Sequence, residues 1–408
     1  MSIRKFLLAP LLLAASAAHA QHLAYEMTLI PRLDYPNGIN DLGQIAGNGF
    51  NDNGVIQAAA WTPGATPSLS FLGTPQDYSG DINNAGQVTG HHQFTPGQWR
   101  ATIYSNGTIQ DLGAPDGIGS TGRAINASGQ VAGGLAIGDG QSHAFLYANG
   151  RMTDLGAFSG DRSDAYGIND AGQVVGTSFV TGVGGEPNTW RAFEYSGGAL
   201  NELDIGGAFS IAWDINNAGQ VAGEWVPSSE DGSHAFVYKD GMVQDLGNLG
   251  GEITYALSIN DRGDVVGYGA IGAGDILHGF IYVDGELVDL NTLLVAPDGW
   301  EITRTSAINE VRQIASLACR TDNAFECMPA LLSPVPEPGA ALLWGGGLLL
   351  LASRWALRRP SRRHAVDRQP LRRDSFLPLQ YHAFSGTPAP VPHCAPVRSA
   401  SGFPTEDL

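Results

Sequence analysis

One nine-residue core recurs seven times in this chain, and a protein made of short repeated units must bury its apolar faces between those units. The core reads Ile-Asn-x-x-Gly-Gln-Val-x-Gly and stands at residues 39–47, 82–90, 125–133, 168–176 and 215–223. A sixth copy, residues 259–267, carries Asp264 where the others have Gln. A seventh, residues 308–316, carries Arg312 and Ser316 at the two Gly positions. The asparagines fall at 40, 83, 126, 169, 216, 260 and 309, with spacings of 43, 43, 43, 47, 44 and 49 residues.

Each core reads as a tight hairpin: Asn supplies a side chain that bonds its own turn, and Gly supplies the positive φ the turn needs. An alternating strand precedes it and a second follows. After a variable loop comes a third strand, seen at 143–147, 191–195, 234–238 and 278–282. The hairpin signals Asn149-Gly150, Asp240-Gly241 and Asp284-Gly285 then lead into a fourth strand, whose Asp-Leu-Gly ending stands at 111–113, 154–156 and 245–247.

Four short antiparallel strands in each of seven units indicate an all-β fold, a seven-bladed β-propeller, favoured over an open solenoid or a sandwich array. The ends of the repeat region support closure. An apolar strand at 24–30 precedes the first copy, and the last copy stops after its third strand, at 328–332. The N-terminal strand would therefore complete the last blade and remove an exposed sheet edge. Phe145, Phe193, Phe236 and Phe280 occupy one strand position and are expected to pack between neighbouring blades.

Charge narrows the partners. Residues 21–353 hold 11 Lys+Arg against 36 Asp+Glu, a net charge of −25 inside a total of −18. Such a body repels phosphate backbones, which argues against nucleic acid as a partner. The basic residues gather at the ends. Arg4 and Lys5 precede an apolar stretch at 6–15, and Ala18-His19-Ala20 is a small-x-small cleavage site, so residues 1–20 read as a secretory signal peptide. Export permits a disulfide between Cys319 and Cys327, which flank a polar hairpin loop; two free thiols remain the alternative.

The His-Ala-Phe tripeptide at 143–145 and 234–236, together with the Ile-Asn-x-x-Gly-Gln-Val core and the Asp-Leu-Gly ending, resembles the extracellular HAF-repeat proteins over about residues 24–333. That resemblance implies an exported repeat protein with no assigned activity. The segment 334–359 resembles a PEP-CTERM sorting signal: Pro336-Glu337-Pro338, an apolar stretch at 340–352 and a basic cluster with Arg358 and Arg359. The resemblance implies a transmembrane stretch and processing by an exosortase at the Pro-Glu-Pro element, in a Gram-negative-type bacterium. Arg at the inner end agrees with the positive-inside rule. Such signals normally end the chain, whereas here an Arg- and Pro-rich tail, residues 360–408, follows and reads as disordered.

The motifs of hydrolases, zinc enzymes and phosphate-binding loops are missing from the sequence, so an enzyme is not the first expectation, and no cofactor is expected. His143, His234 and His278, with Arg191, hold equivalent strand starts; a metal site would need them to converge, and structural hydrogen bonding is favoured. Asp170, Asn217 and Asp261 could coordinate Ca²⁺ at an acidic rim, although turn formation is the plainer reading. Trp61, Trp99, Trp190, Trp213, Trp225 and Trp300 could line a sugar-binding face, with packing the plainer reading. The expected function is a surface or extracellular-matrix module. It would bind a polysaccharide or an envelope protein, or serve structurally, using loops between second and third strands such as residues 178–189. The alternative is a propeller hydrolase or lyase acting on extracellular polysaccharide through carboxylates at the central mouth.

Overall fold

Each repeat core closes on its own asparagine. In the computed structural model, Asn126 Oδ1 accepts the backbone N–H groups of Ser128 and Gln130 at 3.2 and 2.9 Å, and Gly129 takes the left-handed φ of +76° that completes the turn. The model describes residues 23–335, apart from 116–117, 139, 159–161, 183–187, 229–230, 273, 275 and 324–325. The signal peptide with Ala18 and Ala20, the sorting motif Pro336-Glu337-Pro338 with Arg358 and Arg359, the apolar stretch at 340–352 and the tail 360–408 lie outside the described residues. Among the described residues no helix is long and apolar enough to cross a membrane.

The hairpins build seven four-stranded antiparallel sheets, the blades of a β-propeller. Blade 4 is representative, with strands Ser163–Ile168, Val174–Val180, Thr189–Ser196 and Ala199–Glu202 from the axis outward. Closure follows the sequence expectation. Tyr25–Leu29 pairs antiparallel with Cys327–Pro334, so the first described strand becomes the outer strand of blade 7.

The second Gly of the core answers a close approach. In each of blades 3 to 6 the inner strand carries a β-bulge opposite Gly133, Gly176, Gly223 or Gly267. A Cβ on any of these glycines would collide with the carbonyl of Thr121, Asp164, Ile211 or Tyr255. The apolar core lies between blades. Phe193 is fully buried among Ala124, Ala132 and Ala144 of blade 3, and Phe145, Phe236 and Phe280 repeat the arrangement in their own blades.

Candidate functional site

The axial passage has two unlike ends. At one, the repeated asparagines form a closed ring: Nδ2 of each donates to the backbone carbonyl of its counterpart in the next blade, at 2.9–3.2 Å, from Asn40 through to Asn309 and back to Asn40. The other Nδ2 hydrogen goes to the Gln four residues on, or to Asp264 in blade 6. Both Nδ2 hydrogens of each of these buried amides are used. The residues that follow them form a chain of inter-blade bonds interrupted only at Ala127, in which the N–H of Asp170 bonds Asn217 Oδ1 and that of Asn217 bonds Asp261 Oδ1. The oxygens considered for Ca²⁺ are thus engaged in inter-blade bonds. Among the described residues no group of three or more His, Cys, Asp or Glu is arranged to hold a metal.

The opposite end is not uniform. Two residues before each core Ile, the inner-strand bulge presents one side chain to the axis: Asn37, Arg123, Tyr166, Trp213, Leu257 and Ser306, with Gly80 in blade 2. A bulge residue has no partner across the ladder and is free to vary. Strand direction places the loops between second and third strands on this same face. Arg123 lies 4.9 Å from the centre of the Tyr166 ring and 3.3 Å from Asp164 Oδ1, and Tyr166 packs on Trp213 at 4.5 Å. Across the mouth Arg304 sits 5.1 Å from the Tyr268 ring, which meets Tyr255 at 5.1 Å. Two cations, Arg123 and Arg304, therefore each lie on an aromatic face at the mouth.

Several buried carboxyls are held above their ordinary range. Burial pushes Glu224 up to about 7, partly offset by the Ser233 hydroxyl, which donates to Oε2 at 3.0 Å, and by a hydrogen bond from the Trp213 side chain. Asp81 rises to about 7 and Asp214 to about 6, again from burial, although backbone N–H groups bond both. Burial also lowers His91 to about 4, leaving it neutral between Tyr78 and Trp99.

The sequence-derived candidates divide. His143, His234 and His278 each bond through Nδ1 to an Asp eleven residues on, namely Asp154, Asp245 and Asp289, at 2.9, 2.9 and 2.6 Å. Arg100 pairs with Asp111 and Arg191 with Glu202 at the same offset, so this position ties third strand to fourth and the histidines do not converge. Trp61 and Trp300 belong to the interior, at 4% and 9% exposure. Trp99, Trp190 and Trp225 are half-buried, and Trp213 lines the mouth. Cys319 and Cys327 face each other across a strand pair and are joined as a disulfide. The sequence reading missed Arg123, Tyr166, Glu224 and Tyr268. Their signal was available as the positions where otherwise faithful repeats disagree.

No family model and no curated protein matches the chain. Among solved structures, the β-propeller domain of the Trilobed protease from Pyrococcus furiosus matches at a TM-score of 0.50 and 10% identity, covering 75% of this chain and 95% of that one. The likeness is one of fold. That domain is described as having an open velcro topology, whereas here the N-terminal strand closes blade 7. TolB from Acinetobacter baumannii matches at 0.40 and 14% identity, over 72% of this chain and 64% of that one, so the chain spans less than two thirds of its length. A gluconolactonase from Xanthomonas campestris matches at 0.40 and 9% identity, over 78% and 93%.

Proposed function

We propose that this chain is an exported β-propeller, anchored at the envelope after exosortase processing at Pro336-Glu337-Pro338, that binds an extracellular polysaccharide at the bulge-lined mouth. One observation carries the binding reading: the seven bulge positions hold seven different residues, six of them with a side chain aimed at the axis and the seventh Gly80, whereas the opposite end repeats one asparagine seven times. Uniform positions serve the fold, and non-uniform positions in a concave, partly aromatic site serve recognition. The Tyr166 and Trp213 rings beside Arg123 suit a hydroxyl-rich polymer with intermittent negative charge. Binding of the purified protein to a glycan array, with Arg123→Ala and Tyr166→Ala as controls, tests this reading. Binding that both variants retain would overturn it. The sorting reading rests on the motif and is tested by the intact mass of the envelope-associated protein, since retention of residues beyond Pro338 would exclude processing.

A hydrolase or lyase acting on such a polymer is the second reading. It is favoured by Glu224, whose carboxyl burial raises to about 7 in the pocket it lines beside Tyr255 and Tyr268. Release of reducing or unsaturated ends from bound polymer, abolished in Glu224→Gln, would support it.

A further inference from the structure

Beside the mouth, where blade 3 meets blades 2 and 4, lies a pocket of about 410 Å³, walled by Trp99, Ile118 and Ala136 and edged by Thr121, Arg123 and Asp164. That volume falls within the roughly 300–1,000 Å³ of small-molecule sites. We propose that this pocket is a subsite for one sugar ring of the bound polymer, which sets its apolar face on Trp99 and bridges Arg123 and Asp164 with two adjacent hydroxyls.

An under-bonded carboxylate is the first ground. The Asp164 side chain is 21% exposed, and among the described residues its carboxylate accepts one hydrogen bond, from Arg123 Nη2 to Oδ1 at 3.3 Å. Asp289, at 22%, is bonded twice and more closely, by His278 at 2.6 Å and by the Asn291 N–H at 2.9 Å. Asp77 and Asp214 are bonded three times each. Buried carboxylates gather donors in this way, and Asp164 has gathered one. Burial holds its carboxyl above the ordinary range in spite of the Arg123 charge. Arg123 carries five N–H donors and gives one of them to Asp164, so the pair presents donors and an open acceptor side by side.

Position is the second ground. The residue after the second core Gly is Asn48, His91, Gly134, Thr177, Glu224, Tyr268 or Leu317 by blade, so blade 3 alone has no side chain there. Asn48 and Thr177 reach across to the next blade, accepting from the Ser79 N–H and donating to the Ser210 carbonyl. Gly134 reaches nothing, and a Cβ on it would stand 2.7 Å from Asp164 Oδ1. Its φ is not left-handed, so the backbone does not demand glycine. The missing side chain leaves room beside the carboxylate.

Chemistry selects the guest. A cation at this place would meet Arg123 and an anion would meet Asp164, so the guest is neutral there. It must accept from a guanidinium and donate to a carboxylate, and a pair of neighbouring hydroxyls does both with charge-assisted bonds. The Trp99 ring, with Ile118 and Ala136, suits the C–H face of a pyranose.

This proposal deepens the polysaccharide reading and rests on it, and its test separates the two. Methyl pyranosides of the common hexoses and their fully O-methylated counterparts are titrated into the full chain and followed by saturation-transfer NMR and tryptophan fluorescence; glycan-array binding of the polymer is measured in parallel. At least one free pyranoside is expected to bind, and its O-methylated form, which can no longer donate, should bind at least about tenfold more weakly. Asp164→Asn should weaken the free pyranoside about tenfold. Gly134→Thr, which installs the residue that blade 4 carries at this position, should abolish its binding by filling the space. Should that variant unfold, Asp164→Asn and the O-methylated probe decide. Pyranoside binding that survives O-methylation, or that either folded variant retains at full strength, overturns the subsite and leaves the polymer reading standing. Polymer binding without any pyranoside binding does the same. Pyranoside binding without polymer binding overturns the broader reading alone, and absence of both overturns both.

Discussion

Asp264 and Arg312 are bonded to each other, Nε to Oδ2 at 2.8 Å and Nη2 to Oδ1 at 2.9 Å, and each replaces the residue type that the other repeats carry at its position. Blade 6 gives up its Gln and blade 7 gives up its turn Gly, and the two departures meet across one blade interface. Arg312 holds φ at +63°, a conformation that suits the glycine it replaces.

The pair makes a direct prediction. Asp264 is 5% exposed at the side chain and Arg312 25%, so Arg312→Ala leaves a nearly buried carboxylate uncompensated and should cost about 3 kcal/mol. The double change Asp264→Gln with Arg312→Gly restores the repeat pattern and relieves the backbone, and should recover most of that loss. Urea unfolding of the four members of the cycle checks both; additive effects would show that the two residues are independent.

The asparagine ring predicts a steep response to a conservative change. Asn126→Asp replaces a group that donates to both Gln130 and the Asn169 carbonyl by one that only accepts. Two bonds are lost beside buried acceptors, a loss of roughly 1–3 kcal/mol for each group left unsatisfied. Asp41→Ala, on the partly exposed rim, should cost less by the same unfolding assay.

Strand closure predicts an aggregation phenotype. Without Tyr25–Leu29 the strand Cys327–Pro334 becomes a bare edge, and the buried Tyr25 ring leaves the cluster that holds Ile302, Ile314 and Leu332. A chain beginning at residue 31 should unfold at lower temperature and scatter light at concentrations where the parent stays monodisperse.

The buried carboxyls predict how stability moves with pH. Folding raises Asp81 to about 7 and Asp214 to about 6 from an ordinary 3.8, so between those values the folded chain holds protons that the unfolded chain has released. Their contribution therefore favours folding at low pH and declines as pH rises from about 4 towards 7, by up to one proton for each group. Asp81→Asn should gain stability relative to the parent as pH increases from 5 to 8, read as a growing difference in urea midpoint. A difference constant over that interval would contradict it.

The repeat itself determined the blade count, the strand order and the closing N-terminal strand, because strand period, turn chemistry and hairpin register are local and print themselves on every copy. The buried Phe193 and the bonding of Asn126 to its own turn were legible for the same reason. Only the ring decided what the copies do to one another. Asn309 reaches the carbonyl of Asn40 across 269 residues, and no local rule names that partner. The same closure gathered Arg123, Tyr166, Trp213 and Glu224 from three blades around one mouth, at positions where the repeat pattern places no demand. Residues in a bulge or beside a channel are released from the pairing that makes sequence periodic, so their meaning appears only when the blades meet.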